Sequence, residues 1–125
     1  MGFIVDKIKL KGLKGEKKVD ALYDRGASFS FITRKTAEKL GSIEKLPDPM
    51  EFETAREGDK ISVKERITLD FYIEGIRLSD EFFIIEDLSE EVIIGAKTMQ
   101  AWRLKLDFDQ DRVLVDQRMT RLMLK

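Results

Sequence analysis

Apolar and polar residues alternate along much of the chain, and the alternation marks out short strands. Val5 to Leu10 and Lys18 to Tyr23 read as two strands, joined by "KGLKGEKK", which supplies two glycines and solvated lysines for a hairpin connection. After "DRGAS", the run "FSFI" reads as another short strand. Thr33 then caps a helix over "RKTAEKL", with Ala37 and Leu40 on one face and Gly41 as its stop. "EKLPDPMEF" holds both prolines and reads as a loop or edge segment, because each proline removes a backbone donor. Ile61, Val63, Ile67, Leu69, Phe71 and Ile73 alternate with polar residues over a long half-buried strand, with turns expected at Gly58 and Gly75. "DEFFII" and the fully apolar "EVIIG" follow as strands. Ala96, Met99 and Trp102 fall at helical spacing, which places Met99 and Trp102 in the core, and "LKLDF" with "RVLV" is expected to close the sheet as a last hairpin. The sum is mostly β, with two short helices in one domain over 1–125, a pattern of closed barrels and sandwiches. The C-terminal stretch with Met119, Leu122 and Met123 fits either a strand or a short helix.

Composition narrows the chemistry. A chain of 125 residues with 42% hydrophobic content fits a single core. Its 23 basic and 24 acidic residues leave a formal charge of -1, which gives no general attraction for nucleic acid. No run approaches membrane-spanning length and none has the form of a signal peptide, so a cytoplasmic protein without a membrane partner is expected. Zero cysteines exclude disulfides, thiolate metal sites and cysteine nucleophiles. Zero histidines exclude every imidazole base and every Ser-His pair. Acid-base work near neutral pH then falls to carboxylates, lysines or tyrosines.

The stretch "ALYDRGASFSFI" delivers Asp24 from an apolar strand to a tight turn, and far downstream "EVIIG" leads into a short helix. Together these resemble the retropepsin-like (retroviral-type) aspartic proteases, in which an Asp-Thr/Ser-Gly-Ala turn is paired with a hydrophobic-hydrophobic-Gly loop before a helix. The resemblance covers nearly the whole chain and implies a small closed β-barrel. It implies Asp24 as the catalytic residue, with Arg25, Gly26, Ala27 and Ser28 forming the active-site turn and Ile93, Ile94 and Gly95 the supporting loop. It implies a flap at Ala55, Arg56, Glu57 and Gly58 that closes over an extended peptide or protein substrate. One aspartate per chain implies a homodimer in which two carboxylates share a proton around a water, the system that serves as a general example of paired-acid titration. No cofactor and no metal are implied.

Position 25 departs from the family, whose threonine or serine hydroxyl both donates and accepts between the two facing turns. Arginine has five donors and no acceptor. In that place it would orphan a partner amide, at about 1–3 kcal/mol for each buried unsatisfied group. A cation beside a carboxylate pair also favours the doubly ionised form, which opposes the shared proton. A catalytically silent domain that binds peptides or dimerises a larger assembly is therefore the first alternative to an active endopeptidase. A nucleic-acid-binding β-barrel is the second, resting on the lysines of residues 7–18; the absence of interleaved aromatics favours reading those lysines as a guard on an edge strand. Asp107, Asp109 and Asp111 have the opening spacing of a calcium loop, but Arg112 and Arg118 occupy the places of its glycine and its glutamate, so the stretch reads as a charged hairpin turn.

Overall fold

A computed structural model describes residues 3–53, 60–86, 88–116 and 118. The elements run β1 (Phe3–Lys11), β2 (Glu16–Asp24), β3 (Phe31–Thr33), α1 (Arg34–Leu40), β4 (Glu44–Glu53), β5 (Lys60–Ile73), β6 (Ile76–Ile85), β7 (Val92–Ile94), α2 (Ala96–Ala101), β8 (Lys105–Asp107) and β9 (Arg112–Leu114). Seven strands pair in the order β1-β2-β7-β3-β6-β5-β4, and β1 pairs back onto β5 at Lys9–Lys11, so six of them close into a barrel. Most neighbours are antiparallel, while β2 runs parallel to β7 and β3 parallel to β6. Among the described residues no helix is long and apolar enough to cross a membrane.

The period-two pattern explains this barrel. Along β5, Val63, Ile67, Leu69, Phe71 and Ile73 point inward and are buried, while the residues between them reach the outside. The β5–β6 hairpin turns on Glu74 (φ 51) and Gly75 (φ 78), a pair of left-handed residues whose twist matches the flanking strands. Thr33 caps α1 by accepting from the Thr36 amide, and Thr36, Ala37 and Leu40 face the interior. Trp102 and Met99 are core residues, and the Trp102 indole donates to the Ser79 carbonyl at 2.8 Å. A second apolar cluster lies under β4 and β5, where Phe29, Phe31, Phe52 and Phe83 meet with ring centroids 5.2–6.3 Å apart.

Several sequence expectations change in detail. "EKLPDPMEF" is the outermost strand β4, with a register shift between Lys45 and Met50 where the two prolines fall. Strand β3 begins only at Phe31, although the Ser30 carbonyl before it already accepts from the Phe83 amide of β6 at 3.0 Å. The last hairpin does not close the main sheet: β8 and β9 form a two-stranded sheet of their own. The lysine-rich end of β1 is no open edge, since Lys9–Lys11 pair with β5 as well as β2; Lys7 and Lys9 meet Asp20 and Glu16, and Lys17 of β2 meets Glu91. Asp107 folds onto its own turn, accepting from the amides of Asp109 and Gln110 at 3.1 and 3.3 Å. Gly58 and the Met119–Met123 stretch lie outside the described residues.

Candidate active site

Asp24 is the last residue of β2, and strand alternation decides which way it faces. Tyr23 points inward and is fully buried, so Leu22 and Asp24 lie on the outer face. The register places Phe3 opposite Asp24 and Val5 opposite Leu22, and the parallel pairing places Ile93 beside Leu22. Phe3 and Val5 are 53% and 51% exposed, large values for side chains of this kind. Asp24 thus ends an outward apolar row in which Phe3 and Val5 are left exposed among the described residues.

The turn after Asp24 is tight and satisfied from within. The Gly26 amide donates to the Asp24 Oδ1 at 2.8 Å, and the Ala27 amide donates to the Asp24 carbonyl at 3.1 Å. A Cβ on residue 26 would lie 3.1 Å from that same carboxylate oxygen, so glycine leaves the acid room.

From Ala27 the chain is strapped to the start of α2. The Ala27 carbonyl accepts from the Ala96 amide at 2.7 Å and the Ser28 carbonyl from the Lys97 amide at 3.0 Å. The Ser30 hydroxyl accepts from the Gly95 amide at 3.0 Å and pairs with the buried Thr98 hydroxyl at 2.6 Å. Gly95 is threaded so closely that a Cβ there would sit 2.2 Å from the Phe29 carbonyl oxygen. The structure therefore brings Asp24–Ser28 and Ile93–Gly95 together. Ala55, Arg56, Glu57 and Gly58 lie outside the described residues. Ser30 and Thr98 were missed by sequence reasoning; a lone serine between Phe29 and Phe31 was the available signal, since a buried hydroxyl demands a partner.

Arg25 turns away from this strap. It is exposed, and its guanidinium stands over the Phe108 ring at 5.2 Å from the centroid. It forms one wall of an open groove of about 830 Å³ that continues past Met99 and Arg103 to Lys105. Among the described residues, no carboxylate pairs with Arg25.

The family pattern described as retroviral aspartyl protease matches residues 15–121, which include both the Asp24 turn and the Gly95 loop. The chain belongs to the retroviral aspartyl protease family. Its fold is that of a retropepsin-like domain: it is similar to the crystal structure of the retroviral protease-like domain of Ddi1 from Leishmania major, with a TM-score of 0.68 and 20% identity over 93% of this chain and 90% of that one. No curated protein matches the sequence. Within the retropepsin-like barrel the parallel β2–β7 pair sets the strand ends that carry Asp24 and Gly95 side by side, in register from Ala21–Val92 to Tyr23–Ile94.

Proposed function

We infer that residues 1–125 form one half of a homodimeric aspartic endopeptidase, in which two Asp24 carboxylates activate a water against the peptide bond of an extended substrate. The observation that carries this reading is the presentation of Asp24: outward at a strand end, held by the Gly26 amide, beside the exposed Phe3 and Val5. A second copy laid on that row would bury exposed apolar surface, at about 25 cal/mol for each Å², and bring the second acid. One carboxylate then takes the proton of the water while the protonated partner polarises the carbonyl.

A silent peptide-binding domain is the second reading, and Arg25 is the observation that favours it. With the guanidinium over Phe108, position 25 offers no acceptor to a facing turn. Cleavage of an unfolded protein at acidic pH, measured together with sedimentation, separates the two. Asp24→Asn abolishes cleavage in the first reading, and Arg25→Thr raises it about tenfold or more, a factor of ten being 1.36 kcal/mol of barrier. If both the unaltered chain and Arg25→Thr dimerise and neither cuts, the endopeptidase reading fails and the silent one stands.

A further inference from the structure

The end of β2 far from Asp24 carries a rigid apolar tip. In the β1–β2 connection the Gly12 amide donates to the Gly15 carbonyl at 2.9 Å, and the Lys14 amide donates to the Leu40 carbonyl at the end of α1, also at 2.9 Å. Gly12 is wedged so closely that a Cβ there would meet the Leu40 carbonyl oxygen at 2.3 Å. The backbone is thus pinned on both sides of Leu13. Its side chain is nevertheless 94% exposed, against 38–53% for the other exposed large hydrophobics among the described residues. Turns of this kind favour glycine and small polar residues, and a leucine held clear of every neighbour adds nothing to the fold.

Cations surround the tip. Lys11 and Lys14 flank Leu13, and neither pairs with a carboxylate among the described residues. The helix beneath, α1, adds Lys35 and Lys39 against one acid, Glu38. The carboxylates nearest the turn are engaged: Glu16 with Lys9 at 3.8 Å, Asp70 with Arg77 at 3.0 Å and Glu44 with Arg66 at 2.6 Å.

A hollow of about 370 Å³ opens beside Leu13, lined by Lys11, Thr68, Asp70, Tyr72 and Arg77. The Arg77 Nε donates to Asp70, which leaves the terminal guanidinium nitrogens, the Lys11 ammonium and the Thr68 hydroxyl as donors for an anion.

We propose that this tip docks on an anionic phospholipid surface, with Leu13 entering the acyl boundary, a headgroup phosphate in the hollow lined by Lys11 and Arg77, and Lys14 and Lys39 against neighbouring headgroups. Buried apolar surface and attraction to anionic lipid add together in such binding. Charge complementarity selects the anionic class, and the leucine selects lipid. A nucleic acid strand gains from stacking, but the one aromatic of the hollow, Tyr72, has the Lys9 ammonium over its ring at 4.4 Å from the centroid. A protein partner calls for a broad, desolvated apolar centre, whereas a single protruding leucine among lysines suits a boundary that it can penetrate. From Glu16 to Asp24, β2 spans about 26 Å, so the docked tip leaves the Asp24 turn accessible. The proposal needs no working aspartate pair.

The test uses the full chain with vesicles of phosphatidylcholine alone or mixed with phosphatidylserine, followed by co-sedimentation. Because the chain has no cysteine, Leu13→Cys carries an environment-sensitive dye at one defined place. Expected results are binding to the mixed vesicles alone, weakened by salt, a blue shift of the dye, and about tenfold weaker binding in Leu13→Ser and in Lys11→Glu. Leu13→Ser should keep its thermal midpoint, since the side chain touches so little. No vesicle binding, equal binding to both compositions, an unshifted dye or unweakened binding in Leu13→Ser overturns the proposal. So does tighter binding of a single-stranded oligonucleotide than of vesicles, or binding of inorganic phosphate without vesicle binding, which would leave the hollow as a phosphate site alone.

Discussion

The two sides of the Asp24 turn are built on opposite principles. Toward α2, the backbone of Ala27 and Ser28 and the Ser30 hydroxyl all find partners, and Gly95 is packed to within a Cβ's breadth of the neighbouring carbonyls. Toward β8, Arg25, Arg103 and Lys105 line an open groove. The strapped side fixes where the acid is, and precise placement of a reacting group is what a rigid frame supplies. Substitutions on the strapped side should therefore cost folding free energy, whereas those on the open side should chiefly change the meeting of two copies.

The largest effect is expected at Gly95. A methyl group there meets the Phe29 carbonyl oxygen at 2.2 Å and the Ala27 oxygen at 2.9 Å, both backbone atoms that cannot rotate aside. Gly95→Ala should cost upwards of about 3 kcal/mol in urea unfolding. An unchanged midpoint would mean that the strap is loose and the comparison false. Ser30→Ala comes next: it orphans the Gly95 amide and the Thr98 hydroxyl together, for a loss of about 2 kcal/mol. Thr98→Ala in the same background should then add little, because the pair acts as one unit.

How much of this was legible in the sequence follows from the range of each interaction. Local periodicity located nearly every element: Thr33 as a cap, Gly75 as a turn and Met99 with Trp102 as core are decisions made within a few residues. The association of Asp24 with Gly95 was legible only through the family resemblance, since no local pattern links residues so far apart in the chain. The Ser30–Thr98 bond was hidden for the same reason. The separate β8–β9 sheet was hidden because alternation predicts a strand but not its neighbour. Where Arg25 points depends on Phe108, a residue to which sequence reasoning gave no role.

A smaller effect of opposite sign sharpens the contrast one step inside the acid. Tyr23 is fully buried, and its hydroxyl is the single buried side-chain polar atom without a partner among the described residues. Tyr23→Phe removes an unsatisfied group, so it should stabilise the fold by about 1 kcal/mol. Burial, and secondarily the Asp6 carboxylate, pushes the phenol well above the ordinary tyrosine range. The contribution of this tyrosine is therefore full below the unfolded value of about 10 and declines as the pH rises beyond it, because the unfolded chain ionises first. The substitution should remove this alkaline decline. If Tyr23→Phe instead destabilises at neutral pH, the hydroxyl has a partner, such as a buried water, and the strap is not the better satisfied region.

The smallest effect tests whether the strapped side extends beyond the turn to Glu91, just before β7. Its Oε2 accepts from the Lys17 ammonium at 2.8 Å and from the Thr36 hydroxyl at 2.9 Å, and its backbone carbonyl accepts from the Thr33 amide at 3.1 Å, so it joins β2, α1 and β7. The Lys17 hydrogen bond is the main reason its carboxyl lies below the ordinary glutamate range, with burial opposing it and Thr36 assisting. A lowered folded value means stability that is present above the unfolded value and lost as the pH falls through the folded one. Both charged side chains are well exposed, at 39% and 42%, so solvent screening holds the contribution below about 1 kcal/mol. Glu91→Gln should lower the thermal midpoint slightly at neutral pH and leave it unchanged at an acid pH below the folded value, where the native carboxyl is also protonated. A loss equal at both pH values would show that Glu91 acts through its shape and neutral hydrogen bonds, and that charge plays no part in holding this edge of the site.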